Sequence, residues 1–436
     1  MKRWLVLTCV ALLPAWAGAS DLMDIYHEAL ARDARFAAAR AQLQAGEEYV
    51  IQGRAGLLPE VELTGGIFRN RTDPSGRASE RYSSRNWGVQ LTQPLYREQN
   101  RIAARQGALQ TEVAHVEFEQ ARQDLMLRVA EAYFNVLNAE DALEAVVQLR
   151  TAAAEQLEIA SVSFEVGTVT VTDVHEAQSR FDLAEAQVIE AESELEVRRD
   201  ILARIIGREP DGLATLPDDA TLIAPEPADQ TLWIAAAQDA NVAVRQQDLL
   251  RQIAAREVER SRAGHYPRLD LVARHERTNR QNNLNTPRVE SNSIGVQLNV
   301  PLYAGGAISS VTREAAALRM RADSDVETAR REAALAAREA YLGVSSGMAR
   351  IRALEAAERS SLSALEANRM GYEVGVRVNI DVLNSLSQLA ETRQELARSR
   401  YDTLLAQLRL KAAAGALDEA DLQEVNALLQ APEATP

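Results

Sequence analysis

Apolar and polar residues alternate in four short segments of the chain. In the first segment, Val61, Leu63 and Ile67 alternate with Glu62 and Thr64. The same period of two runs through three further sets of residues: Trp87, Val89 and Leu91; Leu269, Leu271 and Ala273; and Ile294, Val296 and Leu298. Because the residues are β-branched, aliphatic and aromatic, this period predicts four strands of about 10–13 residues, each with one apolar face. Prolines are expected at the strand ends, where no ladder donor is needed: Pro59, Pro94, Pro267 and Pro301.

Between these segments, apolar residues recur at spacings of three and four, which predicts helices. Two proline-free runs, at about 99–163 and about 307–371, are each followed by a glycine, Gly167 or Gly375, and by a second helix of about 34 residues. A helix of about 64 residues is about 96 Å long, which exceeds the width of a globular core. Shorter helical stretches are expected before the strands, at about 21–54 and about 229–262.

The chain is a duplicated unit. Residues 56–63 recur at 264–271, 208 positions later, and residues 88–96 recur at 295–303, 207 positions later. We therefore expect this order: a signal peptide at 1–19; a first repeat at 20–207 with a helix, a β-hairpin at about 57–96 and a long helical hairpin; a linker at 208–228; a second repeat at 229–415 with a helix, a β-hairpin at about 266–303 and a long helical hairpin; and a C-terminal segment and tail at 416–436.

The first 19 residues have the pattern of a secretory signal peptide. A positively charged start precedes the apolar run Trp4–Leu13, and Ala17-Gly18-Ala19 provides a small-residue cleavage site. A membrane anchor is the alternative, which the shortness of the run disfavours. Cleavage would leave Ser20 at the N-terminus and remove Cys9, the only cysteine of the chain.

Four predicted strands are too few to close a barrel within one chain. Lipid accepts only helices and closed barrels, and no later segment has the roughly 20 apolar residues of a spanning helix. Barrels begin at about eight strands, and an eight-stranded barrel is filled by its own side chains. An open pore therefore requires three or more chains, and this reasoning does not choose between three and four.

Several motifs resemble those of the TolC family of outer-membrane channels: Glu131–Ala139, Phe164–Gly167, Thr172–Val174, Leu302–Gly306, Gly371–Gly375, Asp381–Leu383, Arg400–Tyr401 and Ala414–Leu417. The resemblance covers the whole mature chain. It implies a mainly α-helical protein with a transmembrane β part: a homotrimer in which four strands per chain form a 12-stranded outer-membrane β-barrel, continued by an α-helical barrel.

The resemblance also implies a function and partners. The trimer would lie in the outer membrane of a Gram-negative cell, in contact with its lipid, and extend into the periplasm. It would be the passive exit duct of tripartite efflux pumps or type I secretion systems, exporting drugs, other small molecules or proteins. Its partners would be a periplasmic adaptor (membrane fusion) protein and an inner-membrane transporter of the RND, ABC or MFS type. The alternative is a periplasmic coiled-coil scaffold or adaptor without a pore, which has no use for four amphipathic strands.

The resemblance places a periplasmic gate at Thr172, Asp173, Tyr372 and Arg377. An Arg–carboxylate pair and a Tyr hydroxyl at a wet surface are directional but weak enough to be undone. With Glu176 three residues later, Asp173 also fits a helix N-cap, and capping is compatible with a role in the gate.

Asp381 matches a ring of aspartates that narrows the tunnel and favours cations. The family pattern has a second aspartate three residues later, where this chain has Asn384. We therefore expect one ring, a weaker cation preference and weaker block by multivalent cations. The alternative is that Asp381 is an ordinary residue of a helix N-terminus.

Other classes of function are disfavoured. A net charge of −15 argues against a nucleic-acid partner. Gly343–Gly347 fits the G-x-S-x-G nucleophile pattern around Ser345, but it lies within a predicted helix rather than at a strand–turn–helix elbow. No metal-ligand spacing occurs among the five histidines, His27, His115, His175, His265 and His275. We expect a protein that is not an enzyme and that has no cofactor and no metal.

Overall fold

The computed structural model describes residues 20–73, 75–76, 79–217, 220–281 and 288–430. The predicted signal peptide, residues 282–287 of the second predicted β-hairpin and the end of the predicted tail lie outside these residues. The first repeat contains α1 (Leu22–Arg32), α2 (Ala34–Ala55), β1 (Glu60–Thr72), β2 (Glu80–Tyr96), α3 (Glu98–Glu165) and α4 (Val171–Ile206). The second contains α5 (Gln230–Ala240), α6 (Val242–Arg262), a 3-10 turn (Ala263–His265), β3 (Arg268–Gln281), β4 (Arg288–Asn299), α7 (Ala307–Glu373), α8 (Asn379–Ala413) and then α9 (Glu419–Asn426).

Each helical stretch that opens a repeat is two helices rather than one. The breaks fall at Asp33 and Asn241, which are 208 positions apart. The Asp33 carboxylate accepts a hydrogen bond from the Phe36 amide at 2.7 Å, and the Asn241 side chain accepts one from the Ala243 amide at 2.9 Å. Both residues therefore begin a new helix as N-caps. No helix in the described ranges combines the length and the apolar character needed to cross a bilayer.

The strands form one antiparallel sheet in the order β1-β2-β3-β4. Val61 lies opposite Leu91, and Leu271 lies opposite Val296, so the predicted apolar positions share one face. The strands contain 13, 17, 14 and 12 residues, so β2 and β3 exceed the predicted length. The expectation that Pro94 ends a strand is wrong, because Pro94 lies inside β2 beside a change of register.

The described chain forms two compact units, and each draws on both repeats. One takes the chain up to Ala37, Ala121–Ala237 and the chain from Ala334 onward. The other takes Ala38–Gln120 and Gln238–Ala333. The ends of the long helical hairpins belong to the first unit, and the whole sheet belongs to the second.

The core of the first unit is built around buried aromatic residues with satisfied hydroxyls. The Tyr133 hydroxyl donates to the Ala214 carbonyl at 2.7 Å, and the Tyr401 hydroxyl donates to the Asp141 carboxylate at 2.7 Å. Burial raises the pKa of both hydroxyls, so they stay protonated as donors. The Tyr401 ring stacks on Phe134, with 5.6 Å between the ring centroids.

The linker between the repeats is held from two sides in this unit. Ser20 forms a parallel bridge with Leu213, and Gln430 forms an antiparallel bridge with Thr215. The amide of Ser20 donates to the Gly212 carbonyl at 2.9 Å. The two ends of the described chain therefore flank one short stretch of the linker.

Candidate functional site

Both long helical hairpins turn through the same glycine-dependent motif. Gly167 and Gly375 follow α3 and α7 with φ of 78° and 75°, a left-handed conformation that glycine adopts without a side-chain clash. In the first turn the Thr168 amide donates to the Ser163 carbonyl at 2.9 Å. The second turn has the equivalent bond, from Val376 to Gly371 at 2.8 Å, so the two hairpin tips share one geometry.

The first tip begins its return helix with a capping box. Thr170, rather than the expected Asp173, is the N-cap of α4, and Asp173 is the third helical residue. The Asp173 carboxylate accepts from the Thr170 amide and from the Thr170 hydroxyl, both at 2.8 Å. The T-x-x-D pattern carried this signal in the sequence. The carboxylate predicted to serve the gate is thus already bonded within its own helix.

The second tip lacks this box. Val378 takes the N-cap position of α8 and has no side-chain acceptor. Asp381, the counterpart of Asp173, instead lies 3.6 Å from the Arg377 guanidinium, and the two side chains are 33% and 56% exposed. The structure therefore brings a predicted gate residue and the predicted ring residue together in one chain.

The four predicted gate residues are not joined to one another across the two tips. Tyr372 packs against the apolar cluster of α7 and α8 that contains Leu365 and Val382, while Thr172 is exposed. Among the described residues, no hydrogen bond or ion pair links Thr172 or Asp173 to Tyr372 or Arg377. A gate made between neighbouring chains stays a prediction.

One arginine that the sequence did not single out lies beside the predicted ring. The Arg180 guanidinium on α4 donates to the Asn384 side-chain oxygen on α8 at 2.9 Å. The two residues are 204 positions apart, so no local pattern announces the contact. A cation is therefore held where the family pattern has an aspartate.

The sheet has two chemically different faces. The apolar face is open, with Leu63 74% and Ile294 76% exposed. On the polar face, Asn70 donates to the Ser84 hydroxyl at 2.9 Å, as one of several cross-strand hydrogen bonds. Such a sheet fits a boundary between an apolar medium and water.

At the base of the polar face, the Arg97 guanidinium forms a two-bond pair with the Asp270 carboxylate, at 2.7 and 2.6 Å. Arg97 follows β2, and Asp270 lies on β3. Bidentate pairs of this kind fix geometry as well as charge. The pair therefore ties the two β-hairpins of the chain together.

The rejected catalytic motif lies inside α7, without a nucleophile elbow. The Ser345 hydroxyl donates to the Leu342 carbonyl at 3.3 Å, along its own helix. The flanking glycines face α8: a Cβ atom at Gly347 would overlap the Thr403 hydroxyl. The motif therefore serves helix packing. Among the described residues, no group of three or more His, Cys, Asp or Glu side chains is placed to hold a metal ion.

The family described as "Outer membrane efflux protein" matches this chain twice, over residues 25–208 and 233–416. The two matches begin 208 positions apart, the spacing of the sequence repeat. They cover most of the described chain, including the sheet and both hairpin tips.

Individual relatives agree with this match. The "Outer membrane protein TolC" of Vibrio cholerae is 34% identical over 99% of this chain and 99% of its own length. The "Alkaline protease secretion protein AprF" of Pseudomonas aeruginosa is 34% identical over 98% of this chain and 91% of its own. The crystal structure of the outer membrane protein VceC from Vibrio cholerae superimposes with a TM-score of 0.77 at 18% identity, over 90% of this chain and 96% of that one. The fold expected from the sequence is confirmed.

Proposed function

Because the chain belongs to the family of outer membrane efflux proteins, we propose that three copies of it form one passive export duct. The protein is an outer-membrane export channel that extends into the periplasm.

The open sheet carries the proposal of a homotrimer. Its four strands run β1-β2-β3-β4, so β1 and β4 each have one unpaired edge, and β4 is exposed along its whole length. A lipid-facing sheet cannot leave edges unpaired, because backbone groups in hydrocarbon have no water to bond. Three copies supply twelve strands, enough for an open lumen, with the apolar faces against outer-membrane lipid.

The hairpin tips support the proposal of a gate at the periplasmic end. Thr172 and Asp173 on the first tip, with Tyr372 and Arg377 on the second, would close the duct through contacts between neighbouring hairpins. Exposed ion pairs contribute about 0–1 kcal/mol each, so such a closure can be reversed. Asp381 would form one ring of three carboxylates at the constriction.

The duct would depend on other proteins for energy and cargo. A periplasmic adaptor would join it to an inner-membrane transporter of the RND, ABC or MFS type, and the transporter would select drugs, other small molecules or proteins. The relative named for alkaline protease secretion supports a protein cargo as one use. No catalysis is proposed, because the Ser345 hydroxyl is bonded along a helix.

Purification in mild detergent followed by planar-bilayer recording tests this function. We expect a particle of three chains that conducts ions in a low-conductance closed state. Arg377→Ala combined with Tyr372→Phe should raise the single-channel conductance several-fold, because two of the contacts proposed to close the entrance are lost.

Arg198→Ala with Tyr49→Phe is the matched control, since both residues lie away from the tips, and it should leave conductance unchanged. A stable monomer without conductance would contradict the duct. A conducting trimer that ignores the tip substitutions would keep the duct and reject the gate.

A further inference from the structure

Strands β2 and β4 share one stretch of closely similar sequence but differ in length. Residues 88–96 and 295–303 correspond, yet β2 continues to Tyr96 while β4 ends at Asn299. The last residues of β2, from Gln93 onward, pair only with β3. The edge of β4 that corresponds to this contact has no strand beside it in the described part of the chain. Residues 301–303 therefore match the last residues of β2 in sequence but have no strand to pair with among the described residues.

Exposure after β4 agrees with a missing neighbour. Leu302 and Tyr303 are 93% and 89% exposed, whereas Leu95, the counterpart of Leu302, is 47% exposed. Aliphatic and aromatic side chains at such exposure are unfavourable in water and typical of a surface that is covered on assembly.

The glycines of the two strands show the same contrast. A Cβ atom at Gly88 would lie 3.1 Å from the His275 carbonyl oxygen and 3.7 Å from the Glu276 Cβ, because β3 passes close by. At the counterpart, Gly295, a Cβ atom would meet no described atom within 4 Å. Gly88 therefore allows β3 to approach β2 closely, whereas no strand of the described chain makes the same approach at Gly295.

We infer that β4 of one copy pairs with β1 of a second copy in the register that β2 and β3 already show within the chain. This pairing of β4 with β1 between copies, called the seam below, rests on the proposed assembly. It specifies which residues of the two strands lie opposite each other. Val89 lies opposite His275. The residues equivalent to these two in the other repeat are Val296 and Ile67. Val296 of one copy therefore lies opposite Ile67 of the next.

Two further pairs follow from the same shift. Gly88 lies opposite Glu276, which places Gly295 opposite Phe68 of the neighbour. Tyr96 lies opposite Leu269, which places Tyr303 opposite Val61. Strand β4 thus gains its missing end, including Leu302 and Tyr303, only when the second copy is present.

The register is chemically consistent on both faces of the sheet. Val296 and Ile67 are 60% and 76% exposed and lie on the apolar face, so they extend the lipid-facing surface across the seam. On the polar face, the half-exposed Phe68 ring would cover Gly295, an aromatic–glycine pairing that stabilises antiparallel sheets. A slip by one residue would place apolar side chains on the polar face.

The seam differs from the internal junction in one respect. The Arg97–Asp270 pair that ties β2 to β3 has no equivalent, because the corresponding residues are Ala304 and Glu62. The seam therefore lacks the bidentate ion pair that ties β2 to β3 at this point.

Cysteine cross-linking of the full-length protein in membranes tests the register. In a Cys9→Ala background, Ile67→Cys with Val296→Cys, and separately Phe68→Cys with Gly295→Cys, should give covalent dimers and trimers on oxidation. The two adjacent pairs are both needed, since hydrogen-bonded and non-hydrogen-bonded positions differ in Cα separation. Ile67→Cys with Ile294→Cys, shifted by two residues on the same face, should cross-link at least several-fold less.

The internal counterpart, Val89→Cys with His275→Cys, is the matched control and should form a disulfide within one chain. If the shifted pair cross-links best in a protein that still forms trimers, the inferred register is wrong while the duct stands. If the control pair reacts but no variant yields cross-linked chains and the protein is monomeric, the assembly itself is rejected.

Discussion

At the scale of single residues, one difference between the repeats decides what an aspartate does. Asp173 and Asp381 occupy equivalent places, but only Asp173 has a threonine at the N-cap position before it. Thr170 holds the Asp173 carboxylate within its helix, while Val378 has no group to hold Asp381. The Asp381 carboxylate therefore lies beside Arg377 instead.

The charges around Asp381 should set ion selectivity. A unit charge about 8 Å from an ion that moves through water changes the electrostatic free energy of that ion by about 0.5 kcal/mol, before screening by salt. Arg180→Gln removes a cation beside Asn384 and should raise the cation-to-anion permeability ratio about threefold, whereas Asp381→Asn should lower it about as much. The measurement is the reversal potential of single channels under a salt gradient.

Arg198→Gln is the control, because Arg198 lies on the same helix 18 residues from Arg180, or about 27 Å along the axis. It should leave the reversal potential unchanged. A shift of the same sign for Arg180→Gln and Asp381→Asn would reject this assignment of charges.

An ion pair between the buried Asp33 and the partly exposed Arg128 should make part of the stability depend on pH. Asp33 is 5% exposed and accepts two bonds from Arg128, both at 3.1 Å. Burial alone would raise the pKa of the Asp33 carboxyl, but Arg128 and the Phe36 amide outweigh it and lower the pKa below 3.8. The pair therefore stabilises the fold above about pH 4, and this contribution is lost as the pH falls through the lowered pKa.

Arg128→Met should destabilise the protein by about 3–5 kcal/mol at pH 7, because it leaves a buried carboxylate without its cation. The loss should shrink towards pH 4, since the pKa of the Asp33 carboxyl then rises and the group becomes neutral. Unfolding by denaturant in detergent at both pH values measures this. Arg122→Met, at an exposed position on the same helix, should show neither effect, and a pH-independent loss for Arg128→Met would argue against the pair.

At the scale of elements, the contact between α7 and α8 depends on a missing side chain. Because a Cβ atom at Gly347 would overlap the Thr403 hydroxyl, Gly347→Ala should lower the free energy of unfolding by about 1–3 kcal/mol, despite the better helix propensity of alanine. Thr403→Ala in the same chain should restore part of the loss. Thermal unfolding followed by circular dichroism measures both, and equal melting temperatures for Gly347→Ala and the parent would contradict the close contact.

At the scale of the whole molecule, local sequence patterns were enough to predict the helices and strands. Features that depend on contacts between distant residues were not predictable in this way. The period of two identified the strand faces, because the register of Val61 with Leu91 needs only alternation and a turn. Strand length was less predictable, since residues 88–96 and 295–303 are closely similar but only the first stretch lies wholly within a strand. The breaks at Asp33 and Asn241 had a local signal in the capping residues. The contact between Arg180 and Asn384 had none, because it depends on how two distant helices pack.

The bridges of Ser20 to Leu213 and of Gln430 to Thr215 have a consequence for chain order. Ser20 and Gln430 lie on opposite sides of one extended stretch and are offset by two residues along it, so they are about 12 Å apart. A short connector could join them, and opening the inter-repeat linker would then place the second half of the chain before the first. Because Ser20 and Gln430 are close together, a circular permutation could exchange the order of the two repeats without cutting any hairpin.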